Sequence, residues 1–333
     1  MSQSEENQDD YSLVVLSKVN PERELPTDIY LLLDGKFIKF KEKGDYISAK
    51  KYDYFISKGL TNLYIKNDEL MDFLAWISET NQNEIESLID ATDESNRETF
   101  EKNEQVRERV YETFLGKEIN EEVVDKLQSN VSEFIEHVRE DSLTAEAIQA
   151  LSLRDKNIVD HSVNVANLSV YLAMALGYGH QDVLENIYLG SIFHDYGKAK
   201  IPRNVLENKD TQKYQQSIVE HPEKSLKIIR KTKGIPEAVY QIIFQHHEQC
   251  NGEGYPMGLK GEEINEFAQI VSLANVFHNI LEENRHLLYR DQYKMALTFV
   301  SKNIGRHWNP KYFPRAMEAL NIAFGRPLKS LYD

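Results

Sequence analysis

Apolar positions fall in short runs over the first eighty residues and at helical spacing after residue 105, so the chain changes architecture part-way along. Val14-Val15-Leu16 and Ile29-Tyr30-Leu31-Leu32-Leu33 have the length of strands. Asp34-Gly35 is a hairpin signal, after which Phe37-Ile38-Lys39-Phe40 runs back, and Lys43-Gly44-Asp45 marks another turn. Ala49 to Lys58 predicts a helix with Tyr52, Phe55 and Ile56 on one face and Gly59 as its stop. Asn62-Leu63-Tyr64-Ile65 is a further strand, and Asn67 or Asp68 caps a helix carrying Leu70, Phe73, Leu74 and Ile77. Residues 1–10 thus read as a polar tail and 11–80 as a small α/β regulatory module with no catalytic constellation of its own.

Residues 78–105 are dominated by Glu, Asn, Asp, Thr and Gln, the composition of a solvated connection. Val106, Val110 and Phe114 then recur four apart, joined by Tyr111, and a second helix from Glu121 carries Val124, Leu127, Val131, Phe134 and Ile135. This polar and helical linker, 81–142, can transmit motion, form the seam of a homodimer, or pack on the C-terminal core. From 143 to 333 the chain reads almost entirely as helices: Ala145–Leu153, Ile158–Ala175, Val183–Phe193, Glu220–Ile229, Ile235–Gln245, Phe267–Leu281 and Asp291–Asn303. The expected fold class is α+β, a small N-terminal α/β module joined by a helical linker to an all-α bundle.

A length of 333 residues suits two domains that each bury a core. The formal charge of −15 argues against DNA or broad nucleic-acid binding, because nothing neutralises a polyphosphate track. It leaves room for a small anionic ligand held by a metal centre and a few cations. No apolar run approaches the roughly 20 residues that cross a bilayer, and the first residues are polar and acidic, so no membrane association and a cytoplasmic location are expected. The single Cys250 excludes an internal disulfide and is either part of a metal site or an incidental thiol.

The chemistry gathers in the histidines. His161, His180, His194, His221, His246 and His247 make up six of the 10 in the chain, and Asp195 directly follows His194. His180 comes after Gly177-Tyr178-Gly179 in a loop and is set aside as solvated. Neutral imidazoles with a carboxylate are usual ligands of catalytic zinc, iron and manganese. Adjacent residues at a helix end diverge by about 100° and reach different ions, while a carboxylate, with two oxygens, can bridge them. His161, His194, Asp195, His221, His246 and His247 therefore suffice for a binuclear site whose bridging water becomes a nucleophile near neutral pH. His221 precedes Pro222, which places it at the start of a helix.

The ordered set His161-Ser162, His194-Asp195-Tyr196-Gly197-Lys198, Ile201-Pro202, His221-Pro222, His246-His247-Glu248, Gly252-Glu253-Gly254-Tyr255-Pro256 and Gly258-Leu259-Lys260-Gly261-Glu262-Glu263-Ile264 resembles the HD-GYP proteins of the HD superfamily of metal phosphohydrolases. The resemblance covers roughly residues 143–325. It implies a helical HD bundle that hydrolyses cyclic di-GMP to linear pGpG or GMP. It also implies metal ligation by His161, His194, Asp195, His221, His246 and His247, and a phosphate contact from Lys198, which with Asp195 would carry catalysis. Gly254, Tyr255 and Pro256 would border the substrate pocket, although without the family this run is only a tight loop. That loop, or the N-terminal module, could also receive a protein partner. Two divalent ions are expected, iron first and manganese second.

The chain departs from the family where an aspartate ligand is expected, which here is Asn275, with His278 in place of a second aspartate. An amide oxygen can coordinate but brings no charge, so metal retention should weaken. His278 could substitute as a ligand, support one, or pack. Asn157 replaces the glutamate of three-metal members, which favours two ions. The family's Arg-Pro-Tyr-Arg segment reads Asn284-Arg285-His286-Leu287-Leu288-Tyr289-Arg290, in which Arg285 or Arg290 could still hold a phosphate. Two functions are consistent with these residues: a metal-dependent cyclic di-GMP phosphodiesterase, or a catalytically impaired domain acting as a cyclic dinucleotide sensor or adaptor. A diiron oxygenase chemistry fits the Gly-Tyr-Pro loop and Lys198 poorly.

Overall fold

The structure is a computed structural model that describes residues 10–328, apart from 17–18, 20–22, 34, 49–50, 52–61, 116–118, 120, 142, 154–157, 199–200, 202–204 and 206–207. The expected helix at Ala49–Lys58, Asn157 and Pro202 fall wholly or largely outside those residues. The chain forms two compact units, 1–86 and 87–333.

In the first unit, β1 (Tyr11–Val15), β2 (Ile29–Leu33), β3 (Lys36–Lys41) and β4 (Asn62–Lys66) form one antiparallel sheet in the order β1-β4-β2-β3. The β2–β3 hairpin turns at Gly35, whose φ of 78° is a left-handed conformation that favours glycine. One face packs Val14, Ile29, Leu63 and Ile65 against Phe73 and Trp76 of α1 (Leu70–Ala91). On the other, Tyr11 stacks on Phe37 at 3.9 Å, and both meet neighbouring tyrosine rings edge-on. β1 begins at Tyr11, earlier than the apolar run alone suggests.

The stretch with the composition of a solvated connection is helical. α1 continues to Ala91, a 3-10 turn spans Glu94–Asn96, and α2 runs Arg97–Leu115. Ile85, Leu88, Ile89 and Phe100 are buried there. Their sparse spacing along a polar sequence is enough for one apolar stripe, and composition conceals it. Val106, Val110 and Phe114 of α2, and Val124, Leu127, Val131, Phe134 and Ile135 of α3 (Glu121–Asp141), are all buried within the second unit. The two helices pack on each other and on the bundle, so their apolar faces are occupied inside one chain.

The bundle continues with α4 (Ala145–Ser152), α5 (Ile158–Ala175), α6 (Gln181–Phe193), α7 (Gln212–Ile229), α8 (Glu237–Gln245), α9 (Glu266–Glu283), α10 (Tyr289–Lys302) and α11 (Phe313–Phe324). α5 is central and packs against α2, α4, α6, α9 and α11. It is buried on nearly every side, and even Ser162, Asn164, Asn167 and Ser169 are sealed from solvent.

α7 corrects one expectation. It starts at Gln212, capped by the Thr211 hydroxyl accepting from the Tyr214 N–H, so His221 and Pro222 lie inside the helix and not at its start. The first turns of α7 are polar and largely exposed, which makes Pro222 resemble a first-turn proline in the sequence.

Candidate metal centre

Three helices deliver histidines to one point by a shared device. His194 follows the last residue of α6, and its Nδ1 lies 2.5 Å from the Ser191 carbonyl. His246 follows the end of α8, with Nδ1 2.8 Å from the Ile243 carbonyl. Both carbonyls belong to a last helical turn, where the backbone lacks donors. His221 lies mid-helix, yet its Nδ1 is 2.5 Å from the Ile218 carbonyl. That carbonyl would normally accept from residue 222, which is proline and has no N–H.

A carbonyl only accepts, so each Nδ1 carries the proton and each Nε2 presents a lone pair inward. The Nε2 atoms of His221 and His246 then face each other at 3.2 Å, two lone pairs in a buried space that a cation would reconcile. Nε2 of His247 is also buried without a hydrogen-bond partner.

Asp195 lies between two groups of imidazoles. Its Oδ1 is 3.0 Å from His221 Nε2 and 3.8 Å from His246 Nε2, while Oδ2 is 3.4 Å from His194 Nε2 and 3.9 Å from His161 Nε2. Asp195, His221, His246 and His247 form one potential ligand set, and His161, His194 and Asp195 form another. Burial alone would raise the Asp195 carboxyl, but His194, Lys198 and His221 outweigh it and hold it well below the usual carboxylate range. Burial pushes His161 down to about 4 and holds His246 and His247 well below the ordinary imidazole value. Asp195 is therefore ionised and His161, His246 and His247 are neutral, the charge states that divalent metals require, and the residues fit such ions.

Beside the second set stands an amide, Asn275. His161 Nε2 lies 3.1 Å from Asn275 Oδ1, which also accepts from Asn279 Nδ2 at 2.9 Å. His161 Nδ1 lies 3.2 Å from His278 Nδ1. His278 thus supports His161 from the side away from Asp195, where His194, His221 and His246 use a carbonyl.

Around this centre the HD turn is clamped to α7. The Gly197 N–H donates to Ser225 Oγ, which donates to the His194 carbonyl. A Cβ on Gly197 would lie 2.4 Å from the His221 carbonyl oxygen, so only glycine permits this approach. Lys198 Nζ donates to Asp195 Oδ2 at 2.8 Å. Tyr255 stacks on His247 at 4.6 Å, in a loop where a Cβ on Gly254 would strike the backbone of Glu248 and Gln249.

Buried Glu248 holds that loop by accepting from the Met257 and Leu259 N–H groups, a role the bare His-His-Glu run does not reveal. Arg285 is paired with Glu282, and the side chain of Arg290 is 84% exposed beside Asp291, so neither joins the buried cluster. Cys250 Sγ donates to Gln269 Oε1 and is in neither ligand set.

Residues 146–311 match the family described as the HD domain. A 3'3'-cGAMP-specific phosphodiesterase of Vibrio cholerae is 29% identical over 43% of this chain and 35% of its own length. The cyclic di-GMP phosphodiesterase response regulator RpfG of Xanthomonas campestris is 28% identical over 56% and 49%. The chain therefore spans half or less of the length of these curated relatives. A solved HDG"Y"P protein from Bdellovibrio bacteriovorus, Bd1817, shares the fold along nearly the whole chain, with a TM-score of 0.66, 22% identity and coverage of 94% here and 98% there. Among the described residues no helix is long and apolar enough to cross a membrane.

Proposed function

The chain belongs to the HD-domain family, and on that premise we propose that it is a metal-dependent phosphodiesterase of cyclic dinucleotides, with cyclic di-GMP as substrate and linear pGpG as product. The observation that carries this reading is the division of Asp195, one oxygen toward His221 and His246 and the other toward His161 and His194. When bound, divalent ions, iron first and manganese second, would supply Lewis-acid stabilisation of phosphoryl oxygens and a water acidified enough to attack near neutral pH.

The protein's own residues do the rest. Asp195, His221, His246 and His247 would hold one ion, and His161, His194, Asp195 and Asn275 the other. The Ser191, Ile218 and Ile243 carbonyls lock three imidazoles in the ligating tautomer before any ligand arrives. Lys198, more exposed than the carboxylate it touches, offers an ammonium to a phosphate oxygen. Tyr255, flat against His247 and set by Glu248 through the loop, offers a ring and a hydroxyl to a purine or phosphate.

Asn275 favours a second reading, in which the same site binds a cyclic dinucleotide and signals with little turnover. Protein purified without added metal is to be assayed for metal content and then incubated with cyclic di-GMP, with products separated by chromatography. Two ions per chain and release of pGpG are expected. Nucleotide binding without product selects the sensor, and failure to hold metal even after reconstitution overturns both.

A further inference from the structure

One buried row along α2 is polar where a bundle helix is ordinarily apolar. Thr99, Asn103 and Arg107 stand four apart and all are buried. Thr99 Oγ1 is bonded to His137 Nε2 of α3 at 2.9 Å. Asn103 Nδ2 donates to Asn167 Oδ1 of α5, which also accepts from the Tyr188 hydroxyl of α6. Arg107 ends the row. One guanidinium nitrogen is paired with Asp160 Oδ1, and another donates to Asn164 Oδ1 at 3.1 Å.

Asp160 and Asn164 are one turn apart on α5, and the residue after Asp160 is His161. A two-pronged grip on that turn fixes its rotation about the helix axis and so the aim of the imidazole. A functional side chain must be held within roughly 0.5 Å of its working position. His161 belongs to the set that stands beside an amide, where no carboxylate on α9 draws an ion in. Its imidazole therefore depends more on placement than do the carbonyl-tethered histidines of the other set. Stability alone does not explain the pair, because a buried ion pair is often no more stabilising than apolar residues of the same volume.

We propose that Arg107, upstream of the matched HD segment, is a positioning residue for the metal half-site of His161, acting through Asp160 and Asn164. The inference rests on the metal-centre reading above, and its test separates the two. Full-length protein stripped of metal is titrated with Co²⁺, following the visible absorption and the bound ions per chain, with His161→Ala marking the affinity that belongs to this half.

Arg107→Met is expected to weaken that half about tenfold or more, the range for a lost supporting residue, and to leave the His221, His246 and His247 half unchanged. Arg107→Lys, which keeps the charge and loses the fork, should fall between. If Arg107→Met alone fails to fold, the double variant with Asp160→Asn buries no lone charge and carries the same expectation.

The tautomer of His161, read from ¹⁵N shifts of the metal-free protein, is a second readout that needs no ion. A changed tautomer balance in the folded variants supports the proposal even if the wild type takes up no Co²⁺, an outcome that would remove the metal reading alone. Wild-type affinities together with an unchanged His161 tautomer would show that Arg107 only packs, and would overturn it.

Discussion

At the scale of single residues, Asn275 differs by one heavy atom from the aspartate that the family pattern leads one to expect beside His161. Asn275 turns its oxygen toward His161, and the Asn279 amide fixes that orientation by donating to the same oxygen. A neutral acceptor facing Nε2 favours the tautomer with the proton on Nε2, which takes the lone pair away from a metal. A carboxylate there would still accept from Asn279 and would add a charge that attracts a cation. Asn275→Asp is therefore expected to tighten ion binding in the His161 half by about tenfold, or ~1.4 kcal/mol, and to raise turnover with it. Competition against a graded chelator measures this directly. An unchanged affinity would show that the amide oxygen already serves as a full ligand.

At the scale of an element, α7 carries a flaw that the site uses. Proline inside a helix costs ~3 kcal/mol because it removes one backbone bond and crowds the preceding turn. Here the carbonyl so released is the one that tethers His221. Pro222→Ala would restore an N–H directed at the Ile218 oxygen, to compete with the imidazole. The melting temperature of the metal-free protein is expected to rise while affinity in the His221 half falls, two changes of opposite sign read by thermal unfolding and metal titration. If both rise together, the proline does not serve the ligand.

This element also shows what a sequence can and cannot reveal. His221-Pro222 is visible as a pair, and the family pattern marks it as a ligand position. Its place within the helix is hidden, because the polar first turns of α7 lack an apolar stripe. The clustered histidines and the Asp195 between them are legible because their residue types are rare and ordered. Arg107, Asp160 and Glu248 are not, because charged residues are ordinarily solvated and only the fold shows that these are buried. The helical run through 78–105 is hidden for a related reason, since a few apolar residues suffice to seat a helix whose other faces remain polar.

At the scale of the whole molecule, two electrostatic effects compete as the pH falls. The chain carries −15 at neutral pH with an isoelectric point near 5.2, so acidification relieves self-repulsion and by itself favours the compact state. Against this stands the buried histidine cluster. Burial, as the leading cause, pushes His161 to about 4, lowers His221, and holds His246, His247 and His278 well below the ordinary value of 6.5. A histidine with a depressed folded pKa binds fewer protons folded than unfolded between those two values. Its contribution is thus complete above about 6.5 and is lost as the pH falls from there toward the folded value.

Each such group contributes a slope of up to about 1.4 kcal/mol per pH unit in that window, against a total stability of roughly 5–15 kcal/mol. Asp195, held low, loses its contribution only below about 4. The local effect should win because screened surface repulsion changes slowly with pH, whereas the buried groups titrate together. Chemical denaturation of the metal-free protein is therefore expected to show a lower midpoint at pH 5.5 than at pH 7.5. Loaded protein should show a steeper loss, since protons also displace the ion from its imidazoles. A midpoint that holds or rises on acidification would mean that the histidines do not remain buried and neutral, and the ligating arrangement would fall with that assumption.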